Sequence, residues 1–142
     1  MAFLNNDVYD NGLNQLLTCD EIWICSQQPA DYNEATTLYQ NDTSGQYGLG
    51  FYEVQTGDVS LPVDIGTPGS GRVVVIDNIE GGNVQHGDGP NNSQTATHWA
   101  MVDSQRGLLL ATQELSFSQV VTDGNQFNLS SFSVSFPSPS SE

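Results

Sequence analysis

Short apolar segments separated by turn residues recur along the chain, and their length limits what it can fold into. EIWICS (21–26), RVVVIDNI (72–79) and GLLLATQELS (107–116) are each strand-sized and rich in apolar side chains. Segments of this kind at intervals of about 8–12 residues are typical of sandwiches and small barrels. We therefore predict a mainly β fold, an antiparallel β-sandwich or small barrel of about seven or eight strands.

One short helix is predicted near the N-terminus, over residues 7–18. Asn5, Asn6 and Asp7 offer side chains that can cap the start of a helix, and the segment after them is amphipathic. The apolar side chains that recur there at helical spacing are Tyr9, Leu13, Leu16 and Leu17. By contrast, residues 31–46 are mostly polar and predict an exposed loop.

Turn residues predict how the later strands are connected. TATHWAMVDS and GLLLATQELS form a predicted hairpin across residues 104–106. A second strand pair, 118–121 and 127–136, is predicted around Asp123-Gly124-Asn125, because Asp-Gly favours a hairpin turn. The C-terminal third of the chain therefore predicts four consecutive antiparallel strands.

Glycine, asparagine and proline mark the remaining loops. GGNVQHGDGPNNSQ (81–94) predicts a long loop, and residues 57–71, with two prolines, predict an edge strand followed by a loop. A chain of 142 residues suits one domain. We predict that residues 1–142 form a single β-sandwich domain and that PSPSSE (137–142) is a polar tail.

The charge of the chain excludes several kinds of partner. Seventeen acidic residues face only two basic ones, Arg72 and Arg106, which gives a formal net charge of −15. Such a surface repels phosphate backbones and anionic lipids, so we predict no nucleic-acid or membrane binding. It favours electropositive patches on a protein partner. MAFLNNDVYD lacks the features of a secretory signal, so we expect a chain that starts at its methionine and is made in a cytoplasm.

Two cysteines, Cys19 and Cys25, lie six positions apart. That spacing matches neither a redox pair nor a zinc ligand set without further cysteine or histidine ligands. We predict two free, partly buried thiols, and a local disulfide is the alternative that the spacing leaves open. Neither arrangement implies catalysis.

Catalysis depends on whether His98 has the partners of a general base. In THWAMVD both strand faces are largely apolar, which predicts a hydrogen-bonded core or cross-strand histidine. The chain has no Gly-x-Ser-x-Gly elbow, and GTPGSGRVVVID opens a strand where a phosphate loop needs a helix. We therefore predict a protein that is not an enzyme, with no catalytic residues and no cofactor.

A bound metal and a bound sugar are the other chemical options. His86 and Asp88 lie in a glycine-rich segment, but no Asp-x-Asp-x-Asp-Gly loop accompanies them, so we predict no metal site. Aromatic residues among glycine and asparagine suit the faces of sugar rings. A carbohydrate-binding β-sandwich, with Trp23 among its stacking platforms, therefore remains an alternative function, as does a small hydrolase.

Two segments resemble a family of known proteins. ICSQQPADYNEATT (24–37) and ATHWAMVDSQRGLLLATQELSFSQVVTDGNQFNLSSFSVSFP (96–137) are similar to small structural proteins of tailed bacteriophages. The shared features are an N-terminal helix, a Cys-Ser-x-x-Pro turn, a His-Trp-Ala strand, a leucine-rich partner strand and a closing Gly-Asn turn. The two segments cover less than half of the chain, and segments 38–71 and 82–95 are longer here than in the family.

The resemblance implies a virion protein, and most simply a capsid decoration or cement protein. Such a protein binds the major capsid protein on the outside of the head and stabilises the shell, and it is made in the host cytoplasm. A homo-oligomer of this chain is a further association that the sequence leaves open. A tail or baseplate structural subunit is the alternative. Aromatic anchors dominate interface energies, so the candidate interface residues, which equally suit a role in the core, are Phe3, Leu4, Tyr9, Tyr39, Tyr47, Phe51 and Tyr52.

Overall fold

The computed structural model describes residues 12–65, 71–86 and 92–137. Within them the chain forms nine strands, a 3-10 helix and one short α-helix. The mainly β, antiparallel class predicted from the sequence is confirmed. The helices are the 3-10 helix Asn14–Thr18 and α1 (Tyr32–Thr36), and the strands are β1 (Glu21–Cys25), β2 (Gly48–Glu53), β3 (Val63–Asp64), β4 (Gly71–Ile76), β5 (Ile79–Val84), β6 (Ser93–Asp103), β7 (Leu108–Thr122), β8 (Gln126–Leu129) and β9 (Phe132–Pro137).

The chain divides into two compact units, each built from separate stretches of sequence. The first, which we call the six-stranded unit, comprises residues 19–55 and 79–129 and has the strand order β7-β6-β1-β2-β5-β8. The second, the three-stranded unit, comprises the described residues 12–18, 56–65, 71–78 and 130–137 and has the order β3-β4-β9. The single domain expected from chain length stays a prediction.

Strand β1 lies inside the six-stranded sheet, between β6 and β2. Ile22 and Ile24 are fully buried on one face, and Trp23 and Cys25 are buried on the other. A strand covered on both faces reads as a continuous apolar run rather than an alternating one. EIWIC therefore forms the buried strand that its sequence predicts.

The predicted β6–β7 hairpin is confirmed, and acidic side chains hold its turn. Oδ1 of the buried Asp103 accepts hydrogen bonds from the backbone N–H groups of Gln105 and Arg106, both at 3.1 Å, and Oδ2 accepts from Arg106 Nε at 2.6 Å. Asp20 accepts a further bond from the backbone N–H of Ser104 at 2.8 Å. Two carboxylates at the base of a tight turn satisfy donors that would otherwise need water.

The three-stranded unit alternates buried and exposed side chains along β4. Val74 and Ile76 are fully buried, whereas Val75 between them is exposed. Arg72 pairs with Asp64 of β3 at 2.9 Å. Strand β3 lies at the sheet edge, as predicted for the 57–71 segment, and residues 66–70 lie outside the described residues.

Only part of the two predicted terminal elements falls within the described residues. Of the helix predicted at 7–18, residues 12–18 are helical, and Asn14–Thr18 is a 3-10 helix rather than an α-helix. Residues 7–11 lie outside the described residues. Of the predicted polar tail, only Pro137 is described, and it is the last residue of β9.

The long loop predicted at 81–94 is wrong in its first half. Ile79–Val84 is strand β5, which pairs with both β2 and β8. Gly82 is required there because the ring of Phe127 occupies the space where a Cβ would stand. Glycine therefore serves close packing rather than a loop, and residues 87–91 lie outside the described part of the chain.

The turn at Asp123-Gly124 does not join a pair of bonded strands. Strand β7 runs through residues 118–121 and pairs with β6, whereas β8 after the turn pairs with β5. The single strand predicted at 127–136 is two strands, β8 and β9, which lie in different sheets. The local turn signal was correct, but the pairing inferred from it was wrong, because distant strands supply the partners.

The exposed loop predicted at 31–46 contains a helix. Asp31 caps α1 by accepting a hydrogen bond from the backbone N–H of Glu34 at 2.9 Å, and Oε1 of Glu34 accepts one from Ala30 N–H at 2.8 Å. This reciprocal arrangement resembles a capping box. The Asp-x-x-Glu spacing was visible in the sequence, but the segment is only one turn long.

Both cysteines are free, as predicted, and both are buried rather than partly buried. Burial raises the pKa of the Cys19 thiol to about 12 and, through the same loss of solvation, raises the pKa of Cys25 to about 12. The thiolate is the reactive form of cysteine, and at pH 8 a thiol with such a pKa is ionised in about one molecule in 10,000.

We therefore expect neither thiol to react with Ellman's reagent at pH 8 while the protein is folded. After unfolding in guanidinium chloride without reductant, two thiols per chain should react at the rate of a free peptide thiol. Ser44→Cys, in an exposed turn, is the positive control and should react in the folded protein. Rapid reaction of the folded wild type, or no thiol after unfolding, would contradict this account.

Candidate partner interface

The described interface candidates are partly buried residues of the six-stranded unit. Phe51 stacks on Trp23, with ring centroids 4.9 Å apart and an interplanar angle of 24°. Phe51 and Tyr47 also pack against a buried cluster that includes Trp23, Cys25 and Ala35. These two aromatic side chains therefore complete the unit's own core. Phe3, Leu4 and Tyr9 lie outside the described residues.

Tyr39 and Tyr52 are half-buried and are placed differently. The ring of Tyr39 meets that of His86 edge-on, at a centroid separation of 6.5 Å. Tyr52 lines an open cavity together with Phe51. The four candidate aromatics that the structure describes therefore do not form one exposed patch.

Among the described residues, the most exposed large apolar side chains lie on β7. Phe117 is 85% exposed and Val120 is 74% exposed. Between the pairs Ala96↔Gln119 and His98↔Glu114 the β6–β7 register shifts, so β7 carries extra residues that bulge from the ladder. A bulge redirects side chains away from the normal alternation, which explains why an aromatic ring in mid-strand faces water.

Strand β7 ends the strand order of its sheet, and its backbone ladder is with β6. Phe117 and Val120 are three positions apart, which corresponds to about 10 Å along an extended strand. Two exposed apolar anchors at this separation on an edge strand suit contact with another protein. We call this pair the β7 anchors.

A second set of exposed apolar side chains lies in the three-stranded unit. Leu61 is 68% exposed, and Val63 of β3 is 48% exposed. Val63 pairs with Val73 of β4, and Val73 pairs with Ser135 of β9. The cross-strand neighbour of Val63 is thus another valine, and the members of this set are less exposed than the β7 anchors.

Sequence reasoning selected residues by type and missed both sets. Phe117 stands between serines in SFSQVV, a pattern that alone indicates a strand with one solvated face. The bulge that turns the phenyl ring outward depends on pairing with β6. A hydrophobic residue flanked by serines, between the predicted strands 107–116 and 118–121, was the only available signal.

Both arginines are engaged within their own units. Arg72 pairs with Asp64 at 2.9 Å, and Arg106 pairs with Asp103 at 2.6 Å. Fifteen negative charges are left without a basic residue of this chain to balance them. A partner that approaches the surface closely must therefore be neutral or electropositive.

His98 has the hydrogen-bonded, cross-strand position that the sequence predicts. It lies on β6 opposite Cys25 and Glu114, and its Nδ1 is 2.8 Å from Thr97 Oγ1. The Thr97 hydroxyl donates to the carbonyl of Ser26 at 2.9 Å, so Nδ1–H of His98 is the donor to Thr97. The Thr97 hydroxyl thus links β6 to Ser26 at the end of β1, and His98 donates to that hydroxyl.

His86, one of the residues considered for metal binding, is buried, at 5% exposure. Its Nε2–H donates to the carbonyl of Asn92 at 3.0 Å, and Asp123 accepts a bond from its backbone N–H. Among the described residues no group of three histidine, cysteine or acidic side chains converges as metal ligands would. Asp88 lies outside them.

Comparisons with other proteins give no family assignment. No significant match to this chain is found among protein-family models, curated proteins or solved structures. Within residues 12–65, 71–86 and 92–137, no helix has the length and hydrophobicity that a membrane span requires.

Proposed function

We propose that this chain is a structural protein of a tailed-phage virion, a capsid decoration or cement protein that binds the major capsid protein on the outside of the head. The observation that carries the proposal is the pair of exposed β7 anchors on an edge strand of an acidic protein. The resemblance of segments 24–37 and 96–137 to phage structural proteins also supports it. These segments form the end of β1, α1 and the strands β6 to β9.

The β7 anchors supply the apolar part of the proposed contact. A phenyl ring that is 85% exposed gains much more from burial against a partner than a half-buried aromatic side chain does. Tyr47 and Phe51 are already committed to the core of their unit. We therefore centre the proposed contact on Phe117 and Val120, whereas Phe3, Leu4 and Tyr9 stay candidates predicted from the sequence.

The charge of the chain supplies the electrostatic part. Both arginines pair with acidic residues of this chain, so the surface of the protein is acidic throughout. An electropositive patch on the shell therefore attracts it. The same charge disfavours unspecific association of copies with one another in solution. Identical modest contacts repeated around a shell reinforce one another, so high affinity at a single site is unnecessary.

Co-sedimentation with empty heads that lack the protein tests this proposal. Wild-type protein should bind saturably and raise the temperature at which the shell is disrupted. The double variant Phe117→Ser/Val120→Ser should lose on the order of 100-fold in apparent affinity, because two anchors are removed from the contact. Its stability should change by less than about 0.5 kcal/mol, since both side chains are exposed.

The matched control is Leu61→Ser/Val63→Ser, which removes exposed apolar side chains from the other unit. Its binding should stay within a few-fold of wild type. Equal loss from both double variants, or binding that survives loss of the β7 anchors, would reject these anchors as the contact. Absence of wild-type binding to heads together with binding to tails would reject the decoration role in favour of a tail or baseplate subunit.

A further inference from the structure

A cavity of about 300 Å³ opens on the six-stranded unit between β2 and β5. Its lining comes from Phe51, Tyr52 and Glu53 of β2, Gln55 just beyond that strand, and Gly81 and Asn83 of β5. Pockets for small molecules range from about 300 to 1,000 Å³ and combine an apolar surface with a few polar groups. This cavity therefore suits a ligand the size of a single ring.

The apolar side of the cavity is held in place before any ligand arrives. Phe51 stacks on Trp23, and Trp23 Nε1–H donates to Glu21 Oε1 at 3.0 Å. A ring fixed by a stacked neighbour loses little conformational freedom when a ligand covers its other face. Phe51 is thus a rigid platform inside a partly open cavity.

The polar side of the cavity faces that platform across the sheet. Asn83 is the cross-strand partner of Phe51, so its amide stands beside the phenyl ring. Glu53 follows on the same face of β2. Gly81 lies on the opposite wall of the cavity. A Cβ at this position would project into open space, with Gln126 Nε2 at 3.9 Å, so glycine leaves that space free.

These groups match the chemistry of a neutral sugar ring. The C–H groups on one face of such a ring pack on an aromatic face, while its hydroxyls donate to a carboxylate and both donate to and accept from an amide. Glu53 and a net charge of −15 disfavour phosphorylated, sulfated or uronic acid rings. The Asn83 amide offers both a hydrogen-bond donor and an acceptor. A sugar hydroxyl can use both, whereas an amine ligand would not.

We propose that this cavity binds one neutral sugar ring, with a face of the ring on Phe51 and its hydroxyls on Asn83 and Glu53. This activity is additional to head binding and does not depend on it. A virion protein with such a site would hold neutral glycans weakly but at many copies per particle.

Titration of the purified chain with methyl β-glucoside and methyl N-acetyl-β-glucosaminide, followed by saturation-transfer NMR and by tryptophan fluorescence, tests the proposal. At least one glycoside should bind saturably with a millimolar Kd. Trp23 emission should change, because the ligand covers the ring stacked on it. Asn83→Ala should weaken binding at least 10-fold, and Gln113→Ala, an exposed β7 residue outside the cavity, should not.

The remaining arms separate related ligands. Glu53→Gln should weaken binding of the neutral glycoside several-fold, because an amide oxygen accepts hydroxyl hydrogen bonds more weakly than a carboxylate, and it should admit glucuronate, which the wild type excludes. If a trisaccharide binds more tightly than the methyl glycoside, the natural ligand is a glycan chain. If the two bind equally, the ligand is a single sugar ring. Either result upholds the proposal. Absence of saturable binding, binding unaffected by Asn83→Ala, or tighter binding of choline than of any sugar would overturn it.

Discussion

Replacing Gly50 with alanine should destabilise the six-stranded unit by about 3 kcal/mol or more. An added Cβ would overlap the carbonyl oxygen of Asn83 and lie 2.8 Å from Val84 Cα. Both are backbone atoms of β5, so no side-chain rotation relieves the clash. The two strands must separate, and β5 carries β8 with it because β8 pairs with β5 alone among the described strands.

Urea unfolding followed by tryptophan fluorescence measures this loss, and amide exchange should show its largest increase on β5 and β8. Gly45→Ala is the matched control: its Cβ would meet nothing within 4 Å, but its φ of +83° lies in the left-handed region. That conformation alone costs roughly 1–2 kcal/mol. Equal stability of the two variants would show that β2 and β5 are not as close as described.

The second large effect is expected at Asp103. Its alanine variant removes the acceptor for two backbone N–H groups and for the Arg106 guanidinium at the β6–β7 turn. The Arg106 side chain is 45% exposed, so in the variant water can solvate its guanidinium and no buried charge is left unpaired. We therefore expect a loss of about 2 kcal/mol, mainly from the buried turn.

Asp103→Asn is the informative control, because the amide oxygen still accepts from both backbone N–H groups. It should lose roughly half as much stability in the same urea titration. An equal loss in the asparagine and alanine variants would mean that the ion pair, rather than turn bonding, dominates. Unchanged stability in both would contradict the hydrogen-bonded turn.

The sequence predicts those strands whose signals are local. β1 and the β6–β7 hairpin each carry a continuous apolar run with turn residues at its ends, so adjacent residues are sufficient to define them. Strand β5 fails this test. By sequence alone, IEGGNV resembles a loop. Its glycine at position 82 is explained only by the ring of Phe127, 45 positions further along the chain, which fills the space that a Cβ would occupy.

The pairing of β8 could not be predicted for a related reason. Asp123-Gly124 is a strong hairpin signal, and the chain does turn there, as the bond from Asn125 N–H to Thr122 O at 3.0 Å shows. Strand β8 nevertheless pairs with β5, which precedes it by some 40 residues. Turn chemistry fixes the reversal, whereas the packing of the whole unit selects the partner.

The candidate interface was harder to predict than the fold. Aromatic type selected Tyr47 and Phe51, which pack against Trp23 and Cys25, because residue type does not distinguish a core residue from a contact residue. Phe117 was not selected, since its exposure depends on a bulge that only the register with β6 reveals. Exposure in the folded chain therefore has to replace residue type as the criterion.

Cryo-electron microscopy of phage heads with and without the chain is the most direct test of the proposed role. We predict extra density on the outer surface of the shell, repeated with its symmetry, into which the six-stranded unit fits with Phe117 and Val120 against the major capsid protein. Density at the tail, or heads that look the same with and without the chain, would contradict the decoration role.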